Sequence, residues 1–399
     1  MLAPEFPPVW GGVGTYIVEL IRNLPSDIEV HVVTLKRSGF TKKESCLDND
    51  FSGFYGKNIH IHTICTANDT FIYNLKFQYA CLKHVPRLIK EENLDLIHSH
   101  AAHMPDLLLK TRENRLPTVT TVHTTIRGQR EGTRASRIPF QDLEISEKMT
   151  FLTYPFLCLV DNIYFSTGNY YIAPSNWMKA CLLKKHPNLK DNVFVVPHGI
   201  NTDLFAPAPK SQRYHKNVIL FVGRLIALKG IFYLIRALPL ILKEHPDTLV
   251  IFVGPGEKKP YTDELNKCSV PQENYLFPGY HDKKSLVNYY NASDVYVLPS
   301  FSESFSLTLV EAMSCGVASV VSNVGGPSEI VEDHVNGLLI RPGSVKDIAE
   351  AIIFLLDNPS IRKKMGREAR KTIEKKFSWQ VAADKTSSIY QYTVNATNH

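Results

Sequence analysis

Short apolar, β-branched runs alternate along this chain with segments whose apolar positions recur every three to four residues. The runs are Val30–Thr34, Leu94–His98, Thr118–His123, Val193–Pro197, Val218–Val222, Leu249–Val253, Val295–Pro299 and Ala318–Ser322. Most are apolar on both faces, which predicts strands covered by helices on each side. Gly230–Lys243 and Val345–Leu356 carry the helical period, and Lys371 onward reads as helical after a last strand at Leu338–Arg341. Strands alternating with helices predict right-handed βαβ units and parallel sheets. Asn201 to Tyr214 contains Pro207 and Pro209, lacks periodicity, and precedes a fresh strand. It is the expected linker between two doubly wound α/β halves. Ligands bind such sheets outside the carboxyl ends of the strands, so the site is expected in a cleft where two such domains face each other.

Composition narrows the class without naming it. The 399 residues are 44% hydrophobic and 21% charged, as in an ordinary globular protein. The net charge of +6 is spread as an excess of three in each half, and a nucleic-acid binder usually concentrates its charge. Nucleic acid is therefore not an expected partner. Seven scattered cysteines without CxxC spacing fit a reducing compartment better than a disulfide framework. The first residues show no secretory signal. The most apolar run, Phe151 to Val160, is ten residues long and interrupted by Pro155, about half the length of a membrane span.

Three segments carry candidate chemistry. Gly11-Gly12-Val13-Gly14 opens the helical run Thr15–Leu24, and a glycine turn into a helix presents free N–H groups to an anion. It lacks the dinucleotide spacing, and a plain tight turn explains it equally well. Gly223-Arg224-Leu225-Ile226-Ala227-Leu228-Lys229-Gly230 follows a strand directly. Arg offers a planar fork of donors and Lys a point charge, a pairing suited to a diphosphate, although a solvated basic turn has the same sequence. Ser302 to Met313 follows the strand ending at Pro299 and holds Glu303 in a loop and Glu311 two turns into a helix. The helix start near Phe305–Leu307 would offer orphan N–H groups, and carboxylates accept from sugar and ribose hydroxyls.

Together these segments resemble the retaining glycosyltransferases of family GT4, which have the GT-B fold. Glu303…Glu311 matches the family's E-x7-E motif, followed by Ala312-Met313-Ser314-Cys315-Gly316. Pro4-Glu5-Phe6-Pro7-Pro8 with its glycine turn, Val196-Pro197-His198-Gly199-Ile200-Asn201 and the G-R-x4-K-G segment match in the family's order. The resemblance implies two Rossmann-like domains facing across a cleft. Residues 1–205 would form the acceptor side and 206–378 the nucleotide-sugar side, with a helix in 379–399 crossing back to the first domain. It implies transfer of a sugar from a nucleotide-diphosphate sugar to a hydroxyl acceptor, lipid-linked acceptors included, with no cofactor and no metal. Arg224 and Lys229 would hold the diphosphate, with Gly11, Gly12 and Gly223 near it. Glu303 and the backbone around Phe305, Ser306 and Leu307 would meet the donor sugar. Glu311 would bind the ribose, and His123 would reach the transferred sugar. The implied location is the cytoplasm, including the inner face of the membrane. A GT-B nucleotide-sugar epimerase and a non-catalytic nucleotide-sugar-binding protein are the alternatives.

The chain departs from the family in places. Ser304 and Ser306 stand where glycine is common. Only Met1-Leu2-Ala3 corresponds to the family's first strand, so the natural protein is expected to begin upstream and this chain to lack a central strand's hydrogen bonds. His98, His100 and His103 have metal-like spacing and Asp48-Asn49-Asp50 reads D-x-D; a cleft lining or solvated turn and a loop are the expected readings. Arg127, Arg130, Arg134 and Arg137 form a basic stretch suited to an anionic acceptor, to a membrane surface for peripheral contact, or equally to a solvated loop. Phe151–Val160 is expected as a buried apolar helix in the first domain, a membrane-dipping face being the alternative.

Overall fold

The computed structural model describes residues 1–6, 12–38, 58–68, 73–101, 104–111, 116–167, 170–208 and 217–397. They form two compact units. Unit 1 comprises Met1–Thr125, Leu159–Gly199 and Trp379–His399; unit 2 comprises Ile126–Cys158 and Ile200–Ser378. This division differs from a contiguous first domain over 1–205, because residues 126–158 fold with unit 2. The cause is local. The buried Glu147 carboxylate accepts from the backbone of Ala227 and Leu228, and Gly132 packs so closely on Leu228 that a Cβ there would collide with it.

In unit 1, β1 (Val30–Ser38) pairs in parallel with β2 (Ile59–Asn68). A second parallel sheet runs in the order β3 (Ile97–His100), β4 (Thr118–Thr121), β5 (Tyr170–Ala173), β6 (Val193–Val195). Met1-Leu2-Ala3 lies between β1 and β3. Leu2 N–H donates to His98 O at 2.9 Å, while Ala3 N–H reaches Val33 O and Val33 N–H reaches Met1 O, both at 2.8 Å. Three residues thus occupy the central position where a strand was expected to be missing. Pro4, which has no N–H, follows them. The helices Gly12–Asn23 and Trp379–Thr397 share a core through Tyr16, Ile17, Leu20, Trp379, Ala383 and Tyr390.

Unit 2 is one six-stranded parallel sheet in the order β12-β11-β10-β7-β8-β9. Its strands are β7 (Asn217–Val222), β8 (Thr248–Val253), β9 (Tyr275–Gly279), β10 (Val295–Leu298), β11 (Ala318–Ser322) and β12 (Leu338–Ile340). Every residue of β7, β10 and β11 is buried, because helices cover both faces. The helices Ile231–Glu244 and Val345–Asp357 bury Leu234, Ile235, Leu238, Ile348 and Ile352 against one face. From β7 the chain moves outward through β8 and β9, then returns to lay down β10 on β7's other side. The switch point of this sheet therefore lies between β7 and β10.

The apolar run Phe151–Val160 corrects its expectation. It belongs to the helix Ile145–Ser166, where Leu152 and Phe156 are 69% and 67% exposed. The helix turns Phe151 toward the core of unit 2, and Tyr154 lies under the Arg130 guanidinium. Leu152 and Phe156, four residues apart, share the opposite side. No helix among the described residues is long and apolar enough to cross a membrane.

Candidate active site

The loops after β7 and β10 meet at the switch point of unit 2. After β7, Gly223-Arg224 leads into a 3-10 turn, Ala227–Lys229, and Gly230 takes φ +73° before the helix Ile231–Glu244. That left-handed conformation suits glycine, and a Cβ at Gly230 would also strike the carbonyl oxygen of Pro299. Phe301 N–H donates to Leu228 O at 2.9 Å. The two loops are thereby held backbone to backbone.

This approach sets Lys229 against Glu303. Their ammonium and carboxylate form a short ion pair, and Ser300 Oγ donates to the same Glu303 oxygen at 3.1 Å. The two side chains are 21% and 10% exposed, so the pair is partly desolvated. Arg224 is mostly exposed; its guanidinium donates to Ser146 Oγ at 3.0 Å and lies 3.7 Å from Glu144. Gly223 donates to Val253 O, and a Cβ on Gly254 would collide with Gly223 O.

Downstream of Glu303 the chain turns into the helix Leu307–Ser314. Its cap is Ser306, whose Oγ accepts from Leu309 N–H at 3.3 Å while its backbone sits at φ +89°, ψ 94°. Phe305 is buried with its ring against Phe377. The loop after β11 closes on this segment: Gly326 N–H donates to Glu303 O at 3.0 Å, and neither Gly325 nor Gly326 has room for a Cβ. Glu311, buried in the helix's second turn, accepts from Tyr290 Oη at 2.8 Å. Burial pushes its carboxyl up to about 7.

Unit 2 therefore gathers Gly223, Arg224, Lys229, Glu303, Phe305, Ser306 and Leu307 at one sheet end, with Glu311 in the second turn of the helix. Sequence reasoning missed Glu147. Its two oxygens accept from Ala227 and Leu228 N–H, each at 3.1 Å, and from Thr133 Oγ1. It braces the turn that presents Lys229 from 80 residues away, and no motif marks it.

His123 and Gly12 belong to unit 1. His123 follows β4; its Nε2 lies 3.1 Å from His100 Nδ1, and its ring packs against Tyr16 and His198. Gly12 begins its helix, and a Cβ there would meet nothing within 4 Å. His98 is fully engaged in structure, with Nδ1 on Tyr390 Oη and Nε2 on Thr121 Oγ1. Burial lowers its pKa to about 3. Gly11, His103, Asp48 and Asp50 lie outside the described residues. Of the basic stretch, Arg127 pairs with Glu131 at 2.7 Å and Arg130 covers the Tyr154 ring.

Known proteins agree with this architecture. The family model for glycosyl transferases group 1 matches residues 206–372, and the model for Glycosyltransferase Family 4 matches residues 10–204. An uncharacterized glycosyltransferase of Methanocaldococcus jannaschii is 28% identical over 98% of this chain and 97% of its own length. Glycogen synthase of Mycobacterium tuberculosis is 25% identical over 98% and 93%. Among solved structures, sucrose-phosphate synthase from Thermosynechococcus elongatus matches with a TM-score of 0.78 at 19% identity, over 97% of this chain and 94% of its own. Anabaena HepE, solved with UDP-glucose, matches with a TM-score of 0.69 at 17% identity, over 98% of each. At such identities these structures speak for the fold, which is GT-B. With the two models matching consecutive stretches that run from residue 10 to residue 372, the chain belongs to the group 1 and family 4 glycosyltransferases.

Proposed function

We propose that this chain transfers a sugar from a nucleoside-diphosphate sugar to a hydroxyl acceptor, with retention and without a metal. The observation that carries the reading is the pairing of Lys229 with Glu303 at the β7/β10 switch point, with Arg224 on the same loop after β7. Arg224 and Lys229 receive the diphosphate, where negative charge grows as the glycosidic bond breaks. Glu303, already fixed by Ser300 and Lys229, accepts from hydroxyls of the donor sugar. N–H groups at the start of Leu307–Ser314 assist, and Glu311 takes the ribose. As the bond from C1 to the leaving oxygen breaks, the acceptor oxygen bonds C1 on the same face. Its proton passes to a phosphate oxygen of the departing diphosphate, so no protein nucleophile is required.

A panel of nucleotide sugars, assayed with EDTA present and with the product's anomeric configuration read by NMR, tests this. Transfer with retained configuration is expected to survive chelation. The Arg224→Ala/Lys229→Ala double variant should lose about 100- to 1000-fold in kcat/KM, equivalent to about 3–4 kcal/mol. Near-normal transfer by that variant overturns the assignment. Epimerised sugar, or donor binding without turnover, would instead favour the epimerase or the binding protein.

The acceptor class includes lipid-linked hydroxyls, and the site of action is then the cytoplasmic face of a membrane. Support for surface contact comes from exposed Leu152 and Phe156 together with exposed Arg134 in the same unit. Co-sedimentation with anionic vesicles, lost in Phe156→Gln, checks this. Equal sedimentation of parent and variant removes it.

A further inference from the structure

A second cluster of chemistry lies at the opposite ends of the unit 1 strands from Gly12 and His123. It is built by the amino ends of β1 and β2. The parallel register sets His31 directly beside His60 and Val33 beside His62. His31, His60 and His62 therefore project from one face of the two-stranded ladder, as period-two alternation requires. Glu29, just before β1, turns its carboxylate onto the same face: Oε1 lies 2.9 Å from His60 Nε2 and 3.4 Å from His31 Nε2. One ligand atom from each of Glu29, His31 and His60 falls within 4.8 Å of the other two. The rings stack, with centroids 4.7 Å apart for His31 and His60 and 5.2 Å for His31 and His62.

We propose that Glu29, His31 and His60 form a binding site for a divalent transition-metal ion of borderline softness, zinc foremost. Two imidazole nitrogens and one carboxylate oxygen are the donor set such an ion selects. Tetrahedral ligands at about 2.0–2.1 Å from zinc stand about 3.3 Å apart, and the two measured separations bracket that value. The fourth position is left to water. His62 completes the design without ligating. Its Nε2 lies 3.0 Å from His31 Nδ1, so it accepts the Nδ1 proton and leaves the lone pair on His31 Nε2, the atom that faces Glu29. Metal-bound histidines are oriented this way by the partner of their other nitrogen. Ion access is provided by an adjoining cavity of about 580 Å³, whose walls include Glu29, His31 and Glu92. The bound ion would clip β1 to β2 and take no part in sugar transfer.

The test uses the full chain, stripped with chelator and then dialysed against ZnCl2 at micromolar concentration. Metal per chain is measured by mass spectrometry, and CoCl2 serves as the spectroscopic probe. One zinc per chain and the intense visible absorption of four-coordinate cobalt are expected. Glu29→Gln and His60→Ala alter exposed side chains, so both should fold normally; each should weaken zinc about 100-fold or more. His62→Phe should weaken it about 10- to 100-fold, the usual effect of removing a ligand's orienting partner. Unchanged zinc affinity in the Glu29→Gln/His60→Ala double variant overturns the proposal, whether the ion then sits elsewhere among the histidines or not. Absence of zinc binding by the parent at micromolar concentration overturns it as well.

Discussion

Ser306 combines a cap with an uncomfortable backbone. Its hydroxyl serves the helix Leu307–Ser314, yet φ +89° is a region that residues with a Cβ rarely occupy. Ser306→Gly removes a backbone cost of about 1–2 kcal/mol, while glycine as a cap gives up only a few tenths. The variant should be more stable by about 1 kcal/mol, seen as a Tm higher by a few degrees in calorimetry; a lower Tm contradicts the strain. Glu311 makes a pH-dependent case. Burial raises its carboxyl from 4.5 to about 7, so the folded protein holds a proton there that the unfolded chain has released. Its contribution to stability is complete below pH 4.5 and falls by about 3 kcal/mol as pH rises toward 7. Glu311→Gln abolishes that fall, so its stability relative to the parent should improve between pH 5 and pH 8 in urea unfolding. Parallel curves for the two proteins exclude it. Donor affinity should move oppositely: an ionised Glu311 is the better acceptor for ribose hydroxyls, so parent binding strengthens through pH 7 and the variant's does not.

Among elements, the turn Ala227–Lys229 depends on Glu147. Removing that carboxylate strands two backbone N–H groups, each costing about 1–3 kcal/mol. Glu147→Ala should therefore lower stability by about 2–6 kcal/mol and raise the donor KM more than it lowers kcat, because Lys229 loses its platform while its charge remains. An unchanged KM in a folded variant denies Glu147 that role. The contrast with the turn itself explains what the sequence disclosed. Gly223–Gly230 and Ser302–Met313 were legible because strand, special loop residues and helix follow one another directly. Glu147 was not, since its partners lie 80 residues on and a lone glutamate has no pattern. β2 was hidden because isoleucine alternates with histidine and threonine in Ile59–Thr63, which leaves no apolar run. Phe151–Val160 showed its apolarity but not its direction, and only packing decides which side of a helix meets the core.

On the scale of the whole molecule, alternation of strand and helix sufficed for the α/β class, and the proline-bearing stretch near residue 207 marked where a new sheet starts. What alternation does not reveal is where a segment finds its partners, and residues 126–158 joined unit 2 through contacts invisible to local pattern. The three residues Met1-Leu2-Ala3 carry a consequence for cooperativity. Among the described residues, β1 reaches the sheet of β3–β6 through the ladder bonds of this short segment, whereas β1 and β2 are paired along nine positions. Unit 1 thus has a seam: two well-knit halves joined by few backbone bonds, with Phe77, Cys81 and Val85 of the helix Tyr73–Glu91 laid against Leu2 and Ile97. Native-state hydrogen exchange should resolve these halves as separate foldons. The amides of β1 and β2 are expected to open together at lower free energy than those of β4 and β5, and a single shared opening energy across all four strands would mean that side-chain packing alone makes the seam as strong as the cloth.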